Sequence, residues 1–229
     1  SGDFSGFLKM MGITIGAAGV VLAAGAIIVN LSPAQEDLAQ RLHSDYGSSG
    51  LSLDDIRAII AKYPNLSEKQ LRELLDQYGK VTSTHPNLVA TAGSSLQLFL
   101  LFIQLAYDPA KTTPKQKLAK GIHEAEVILG VAEQGSLRWP LKRDPSGDAE
   151  VIDGNNQAWD VKGYVSGVKP AFNIADVLRQ IQGELFVAHE NVILDVSRLS
   201  PTDAQDLYQA IQKQGWESKI LWWPGPPTP

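Results

Sequence analysis

Residues 147–163 read GDAEVIDGNNQAWDVKG, and this stretch predicts a β-hairpin. Strands are expected at residues 150–152 and 158–164, and the run DGNN at residues 153–156 supplies the turn. Outward from the hairpin, helices and strands alternate, with helices at 122–134, 174–186 and 200–215, and strands at 191–196 and 219–223. The sequence therefore predicts an α/β (α+β) domain whose mixed sheet is flanked by helices.

The length of the turn decides which side chains share a face of the hairpin. Asp160 and Lys162 project together, because side chains two apart on a strand point the same way. A three-residue loop would pair Asp153 with Gln157. That register would set Asp148 opposite Lys162, whereas a two-residue loop would send Asp148 to the other face. A common site for these side chains therefore requires an odd loop or a bulge.

Two carboxylates and a lysine on a short hairpin indicate a site for a divalent cation and a phosphate. Hard cations such as Mg²⁺ prefer carboxylate oxygens, which Asp148 and Asp160 supply. A bound cation polarises a phosphate and lowers the pKa of a bound water. Lys162 can position that water or stabilise the charge that develops on phosphorus. The preceding helix offers a third acid, Glu124 or Glu126, and the expected chemistry is phosphodiester cleavage.

The composition excludes several classes of site. The chain has 229 residues and no cysteine, which excludes disulfide scaffolds, thiolate zinc sites and a cysteine nucleophile. Its net charge of −5 gives no electrostatic reason to expect nonspecific coating of nucleic acid. That charge counts less against an enzyme, because a bound metal offsets the acids of its site.

The N-terminal region is predicted to be helical and contains two apolar stretches. Residues 11–29 carry no charge and are just long enough to span a bilayer as a helix, which needs about 20 residues. Membrane contact there and burial inside a larger assembly both stay open. Residues 88–107 are expected to form a buried core helix. The polar run 110–117 is the expected linker, which gives a helical region at 1–109 and a second domain at 118–229.

Other polar side chains near the hairpin have structural interpretations. Asp153 is expected to form the turn, and Trp159 to pack in the core on the face opposite the acids. Glu150 shares a face with Asp148, and it either joins the site or is an exposed strand acid. His123 has no partner at a recognisable spacing.

The order of these features resembles the PD-(D/E)xK, or restriction-endonuclease-like, nucleases. An acid-bearing helix is followed by Asp148 on one strand and by residues 160–162, Asp-Val-Lys, on the next. Gly147 stands where the motif name has proline. More narrowly, residues 124–213 resemble nuclease domains at the C-termini of bacterial polymorphic toxins, including contact-dependent growth inhibition toxins. The resemblance implies a restriction-endonuclease-like core.

The resemblance also implies a role for each motif residue. Asp148 and Asp160 correspond to the metal-binding acids, and Lys162 corresponds to the catalytic lysine. Glu124 corresponds to the helix acid that also binds the metal, with Glu126 as the alternative. These two lie about 200° apart around a helix, so both cannot face one site. Mg²⁺ is the expected cofactor, with Mn²⁺ and Zn²⁺ as alternatives.

The same resemblance implies a biological setting. Such toxins are C-terminal pieces of larger secreted proteins, which agrees with a chain that begins at Ser1 rather than Met. The substrate would be DNA or tRNA in the cytoplasm of a competing bacterium, and a cognate immunity protein would block the site. Residues 1–109 would then serve delivery. The alternatives are a non-catalytic membrane-active or binding module and a housekeeping repair or restriction nuclease.

Overall fold

A computed structural model describes residues 20–23, 26–107, 114–169 and 171–227. The chain divides into two compact units, Ser1–Gly79 and Lys80–Pro229. This division lies upstream of the predicted linker at 110–117, because the apolar helix before that linker packs against the helix that follows it. The second helix starts at Pro114, inside the predicted linker, and proline suits the first position of a helix.

The first unit begins with a short antiparallel hairpin. Strand β1 (Val20–Ala23) pairs with strand β2 (Ala26–Val29), and Val20 lies opposite Val29. The prediction of a helix over residues 11–29 is therefore wrong for these strands, in which β-branched valine and isoleucine favour extended backbone. Residues 11–19 and 24–25 lie outside the described residues. Among the residues that are described, no helix combines the length and the apolar character needed to cross a bilayer.

Three helices follow in the chain: α1 (Pro33–Asp45), α2 (Leu53–Lys62) and α3 (Glu68–Thr84). Ser32 and Ser52 start the first two, and each hydroxyl accepts a hydrogen bond from the backbone three residues later. The side chain at that third position bonds back to the serine backbone, which completes a capping box. The predicted helical character of this region is confirmed for these residues.

Residues 88–107 form two helices rather than one, α4 (Leu88–Ala92) and α5 (Ser95–Ala106). Gly93 ends α4 with a φ of +97°, a backbone conformation that favours glycine. Ser94 then caps α5. Phe99 and Phe102 of α5 are fully buried, so the prediction of a core helix is confirmed for this part.

Helix α6 (Pro114–Glu133) crosses α5 at close range. A β-carbon added at Gly121 would lie 2.0 Å from the carbonyl oxygen of Ala106, so only glycine permits this approach. Farther along α6, a β-carbon at Gly130 would meet the ring of Trp223 at 2.1 Å. Gly121 thus permits close packing of α6 on α5, and Gly130 permits close packing of α6 on strand β7 of the sheet.

The second unit contains a five-stranded mixed sheet in the order β3-β4-β5-β6-β7. Strands β3, β4 and β5 are antiparallel, and β5, β6 and β7 are parallel. The strands are β3 (Lys142–Arg143), β4 (Val151–Ile152), β5 (Ala158–Gly163), β6 (Asn191–Asp195) and β7 (Ile220–Trp223). The remaining helices are α7 (Ile174–Gly183) and α8 (Pro201–Gln214). The predicted α/β class, a helical region followed by a mixed sheet flanked by helices, is confirmed.

Different helices pack against the two faces of the sheet. Val192 and Leu194 of β6 are fully buried in a core formed with α7 and α8. They pair with Asp160 and Lys162 on β5, so these two polar side chains point to the same face as that core. Helix α6 covers the opposite face through its contact with β7. Asp160 and Lys162 are therefore held by a strand that is packed on both sides.

Candidate active site

The hairpin has the register that a shared site requires. Val151 lies opposite Trp159, and the amide of Asp153 donates to the carbonyl of Gln157 at 3.0 Å. The loop between this last pair therefore has three residues, and one of them, Asn156, has a φ of 66°. Of the two loop lengths considered from the sequence, two residues or three, the structure has the three-residue loop.

Asp153 forms the turn, as predicted. One of its carboxylate oxygens accepts hydrogen bonds from the backbone amides of Asn155 and Gln157. The other accepts from the indole nitrogen of Trp159 at 3.2 Å. Trp159 is buried, so the prediction that it packs in the core is also confirmed.

The buried acid opposite Asp160 is Glu150, not Asp148. Strand β4 covers only two residues, and Glu150 is the residue directly before it. The amide of Glu150 donates to Trp159, and its Oε2 accepts from the amide of Val161 at 3.0 Å. Its exposed fraction is 9%, and that of Asp160 is 5%. Asp148 precedes this strand in an exposed turn, where its amide bonds to the hydroxyl of Ser146.

Glu150 and Asp160 form a coupled pair of carboxyl groups. Burial is the largest cause of a rise in the pKa of Glu150 to about 9, and the hydrogen bond to Asp160 and the charge of Asp160 add to it. The charge of Glu124 contributes further. Like charges in a buried site cannot all ionise, so this pair holds one proton at neutral pH.

Lys162 is bound on both sides by carboxylates. Its ammonium lies 2.5 Å from Oδ2 of Asp160 and 2.8 Å from Oε1 of Glu184. Burial opposes the charge of Lys162, but the hydrogen bonds to these two acids outweigh burial and raise its pKa above the ordinary value. Lys162 is therefore an ammonium ion at neutral pH and does not act as a proton acceptor.

Of the two candidate helix acids, Glu124 lies with the hairpin acids. Its side chain is 13% exposed, and its Oε1 lies 3.0 Å from the ammonium of Lys120. Its charge helps to raise the pKa of Glu150. Glu126 is exposed, and its carboxylate lies 3.8 Å from Nδ1 of His123 instead. The structure thus brings together Glu150, Asp160 and Lys162, and the charge of Glu124 on α6 reaches this group.

The sequence reasoning missed two acids: Glu184, which starts the π turn Glu184–Ala188, and Glu190, which lies two residues beyond it. The sequence predicted a regular helix through residue 186, whereas the α-helix ends at Gly183. The turn directs Glu184 to Lys162. Beyond it, Glu190 is only 5% exposed, and burial, with the charge of Asp160 next, raises its pKa to about 7. A pair of acids that flank an apolar segment was the available signal in the sequence.

His123 also has a partner that was not foreseen. Its Nε2 lies 2.6 Å from Oδ2 of Asp195, which ends β6 and is 1% exposed. Oδ1 of Asp195 accepts from the amide and the hydroxyl of Ser197. Burial would raise the pKa of Asp195, but these hydrogen bonds outweigh it and lower the pKa. The pair orients the half-exposed imidazole ring.

The chemistry of the donor set suits a hard divalent cation. Glu124, Glu150 and Asp160 offer carboxylate oxygens, which Mg²⁺ prefers. Oε2 of Glu190 is buried without a hydrogen-bond partner among the described residues, whereas Oδ2 of Asp160 is ion-paired to Lys162. Within the described part of the chain, no three acidic or histidine side chains have the spacing of a metal site. Lysine ammonium groups are paired with Glu124, Asp160 and Glu184.

Comparisons of this chain with protein-family models, with curated proteins and with solved structures found no match.

Proposed function

We propose that the second unit is a metal-dependent nuclease that cleaves phosphodiester bonds. The observation that carries this proposal is the group formed by Glu150, Asp160 and Lys162 beside the hairpin. Burying two carboxyl groups that must share a proton opposes folding, because charged groups lose hydration in the interior. Such perturbed groups concentrate at functional sites. The group therefore supports a chemical role for the hairpin rather than a structural one.

The carboxylates are proposed to hold a divalent cation, with Glu124, Glu150 and Asp160 as ligands. Mg²⁺ is the first candidate, and Mn²⁺ and Zn²⁺ are alternatives. When bound, such an ion polarises the scissile phosphate and lowers the pKa of a bound water. Glu150 is proposed for the ligand role first assigned to Asp148. Asp148 lies at the exposed rim of the site, outside the proposed direct ligands.

Lys162 is proposed to stabilise negative charge. Because its pKa is raised, the side chain stays an ammonium and can donate hydrogen bonds to the attacking water or to the phosphate. Asp160 and Glu184 fix its position through their ion pairs. A lysine held in this way provides charge at a defined place without rearrangement during the reaction.

The proposed biological role is that of a toxin delivered into a competing bacterium. The resemblance of residues 124–213 to the nuclease domains of polymorphic and contact-dependent growth inhibition toxins supports it. The protein would be delivered as part of a larger secreted protein, cut DNA or tRNA in the target-cell cytoplasm, and be neutralised by a cognate immunity protein in the producing cell. Residues 1–109 would serve delivery, with membrane contact through residues 11–29.

The full chain can be tested with plasmid DNA and total tRNA in the presence of Mg²⁺, Mn²⁺, Zn²⁺ or EDTA. We expect one of the two substrates to be cleaved with a divalent cation and neither with EDTA. Lys162→Met should abolish cleavage, while Lys142→Met, at an exposed lysine of the same sheet, should leave it unchanged. Cleavage that persists in a folded Lys162→Met variant would sink the proposal.

A further inference from the structure

Arg198 is an exposed cation that the proposed cleavage site does not use. It lies in the loop that joins β6 to α8. Its guanidinium makes no ion pair and no hydrogen bond with the described residues. By contrast, the guanidinium of Arg179 on α7 is ion-paired to Asp176 at 3.0 Å. Arg198 therefore keeps its whole charge and all its N–H donors for a ligand.

The guanidinium of Arg198 lies at the carboxyl end of two parallel strands. A β-carbon added at Gly163 would lie 3.4 Å from Nη2 of Arg198 and 3.4 Å from Oδ2 of Asp195. Gly163 is exposed, ends β5 and directly follows Lys162, and it pairs with Asp195 at the end of β6. Ligands of α/β sheets bind outside the carboxyl ends of the parallel strands. Arg198 is thus placed where a ligand of the sheet would reach it.

Asp195, the acid closest to this place in the sheet, does not neutralise Arg198. Its Oδ2 lies 2.6 Å from Nε2 of His123. Its Oδ1 accepts hydrogen bonds from the amide and the hydroxyl of Ser197, at 2.9 and 2.5 Å. Because both oxygens already have partners, Asp195 is held away from an ion pair with the guanidinium.

The loop that carries Arg198 is anchored by its backbone. The carbonyl of Arg198 accepts from the amide of Ser166 at 3.1 Å, and the amide of Leu199 donates to the carbonyl of Val196 at 3.0 Å. The amide of Ser200 donates to the hydroxyl of Ser166 at 2.7 Å. A backbone that is fixed before binding loses little freedom when a ligand is bound.

We infer that Arg198 binds a phosphate of the substrate backbone beside the scissile phosphate. This inference rests on the proposed nuclease function and identifies the substrate as a polynucleotide. Consecutive residues of a strand point to opposite faces, so Lys162 and the guanidinium beside Gly163 contact different phosphates. A guanidinium suits this role, because it can donate two parallel hydrogen bonds to one phosphate.

The test is binding of fluorescently labelled tRNA and labelled duplex DNA to the full chain in EDTA, measured by fluorescence anisotropy at several salt concentrations. For at least one probe, Arg198→Gln should weaken binding about tenfold and reduce the salt dependence by about one released counterion. Arg198→Lys keeps the charge and loses the bidentate geometry, so it should keep the salt dependence and bind with intermediate affinity. Arg179→Gln removes the same charge from an ion-paired arginine and should bind as the wild type does.

Circular dichroism verifies that each variant is folded. Wild-type affinity in Arg198→Gln, or equal weakening in Arg198→Gln and Arg179→Gln, overturns the inference. A wild type that binds neither probe also overturns it. Because binding is measured in EDTA, where no cleavage is expected, its failure is separate from failure of the proposed function. Binding that depends on Arg198, without cleavage in any divalent cation, would support the phosphate contact and count against the nuclease.

Discussion

Replacing Glu150 by glutamine is expected to make the metal-free protein less sensitive to rising pH. Glutamine has nearly the same shape and can still accept the hydrogen bond from the amide of Val161. It carries no titratable proton, so the variant removes the titration of this position and little else. The comparison therefore isolates the electrostatic cost of placing Glu150 next to Asp160.

The size of the effect follows from the pKa of Glu150, which burial and Asp160 raise from 4.5 to about 9. The folded protein then keeps a proton that the unfolded chain releases above pH 4.5. Stability from this group is complete below that pH and is lost as pH rises towards 9. Between pH 5 and pH 8 the loss is about 4 kcal/mol, since one pH unit corresponds to about 1.4 kcal/mol.

The assay is thermal unfolding of the wild type and Glu150→Gln in EDTA at pH 5 and pH 8. Raising the pH should lower the wild-type Tm relative to the variant by roughly 10 °C, because 1 kcal/mol shifts Tm by about 3 °C in a protein of this size. Glu126→Gln, at an exposed acid, should follow the wild type. Parallel pH curves for the wild type and Glu150→Gln would refute the reasoning.

Three further predictions concern α6 and its neighbours. Gly121→Ala should lower the free energy of unfolding by about 2 kcal/mol or more in chemical denaturation, because its β-carbon would collide with a backbone carbonyl of α5, whereas Gly79→Ala has free space and should be neutral or stabilising. Asp195→Ala should cost about 3 kcal/mol in the same assay, since three donors lose a buried acceptor. Glu124→Gln should slow cleavage on the order of 100-fold, and Glu126→Gln should leave the rate unchanged.

The hairpin was predictable because its determinants are local. The sequence DGNN specifies the turn, and alternation along a strand places Asp160 and Lys162 on one face. The choice between Glu150 and Asp148 was not local. It depends on where β4 stops pairing, and β4 pairs with each neighbour, β3 and β5, over only two residues. The sequence pattern does not indicate where this pairing ends.

Long-range partners account for most of what the sequence did not reveal. His123 and Asp195 are 72 residues apart, and only the packing of α6 on the sheet brings them to 2.6 Å. Glu184 and Glu190 depend on a π turn, whose geometry the helical pattern of the preceding residues does not indicate. In the N-terminal region, residues 11–29 are almost entirely apolar. They therefore show no alternation of apolar and polar residues that would distinguish a helix from the two strands that form at residues 20–23 and 26–29.

The most direct test of the central claim compares cleavage by the wild type, Glu150→Gln and Asp148→Asn under one set of conditions. The full chain is incubated with plasmid DNA and with total tRNA, in Mg²⁺ and in EDTA. The site described above predicts cleavage of one substrate by the wild type in Mg²⁺, loss of cleavage in EDTA and in Glu150→Gln, and retained cleavage in Asp148→Asn. Wild-type cleavage rates in a folded Glu150→Gln variant, or no cleavage by the wild type with any of Mg²⁺, Mn²⁺ and Zn²⁺, would contradict it.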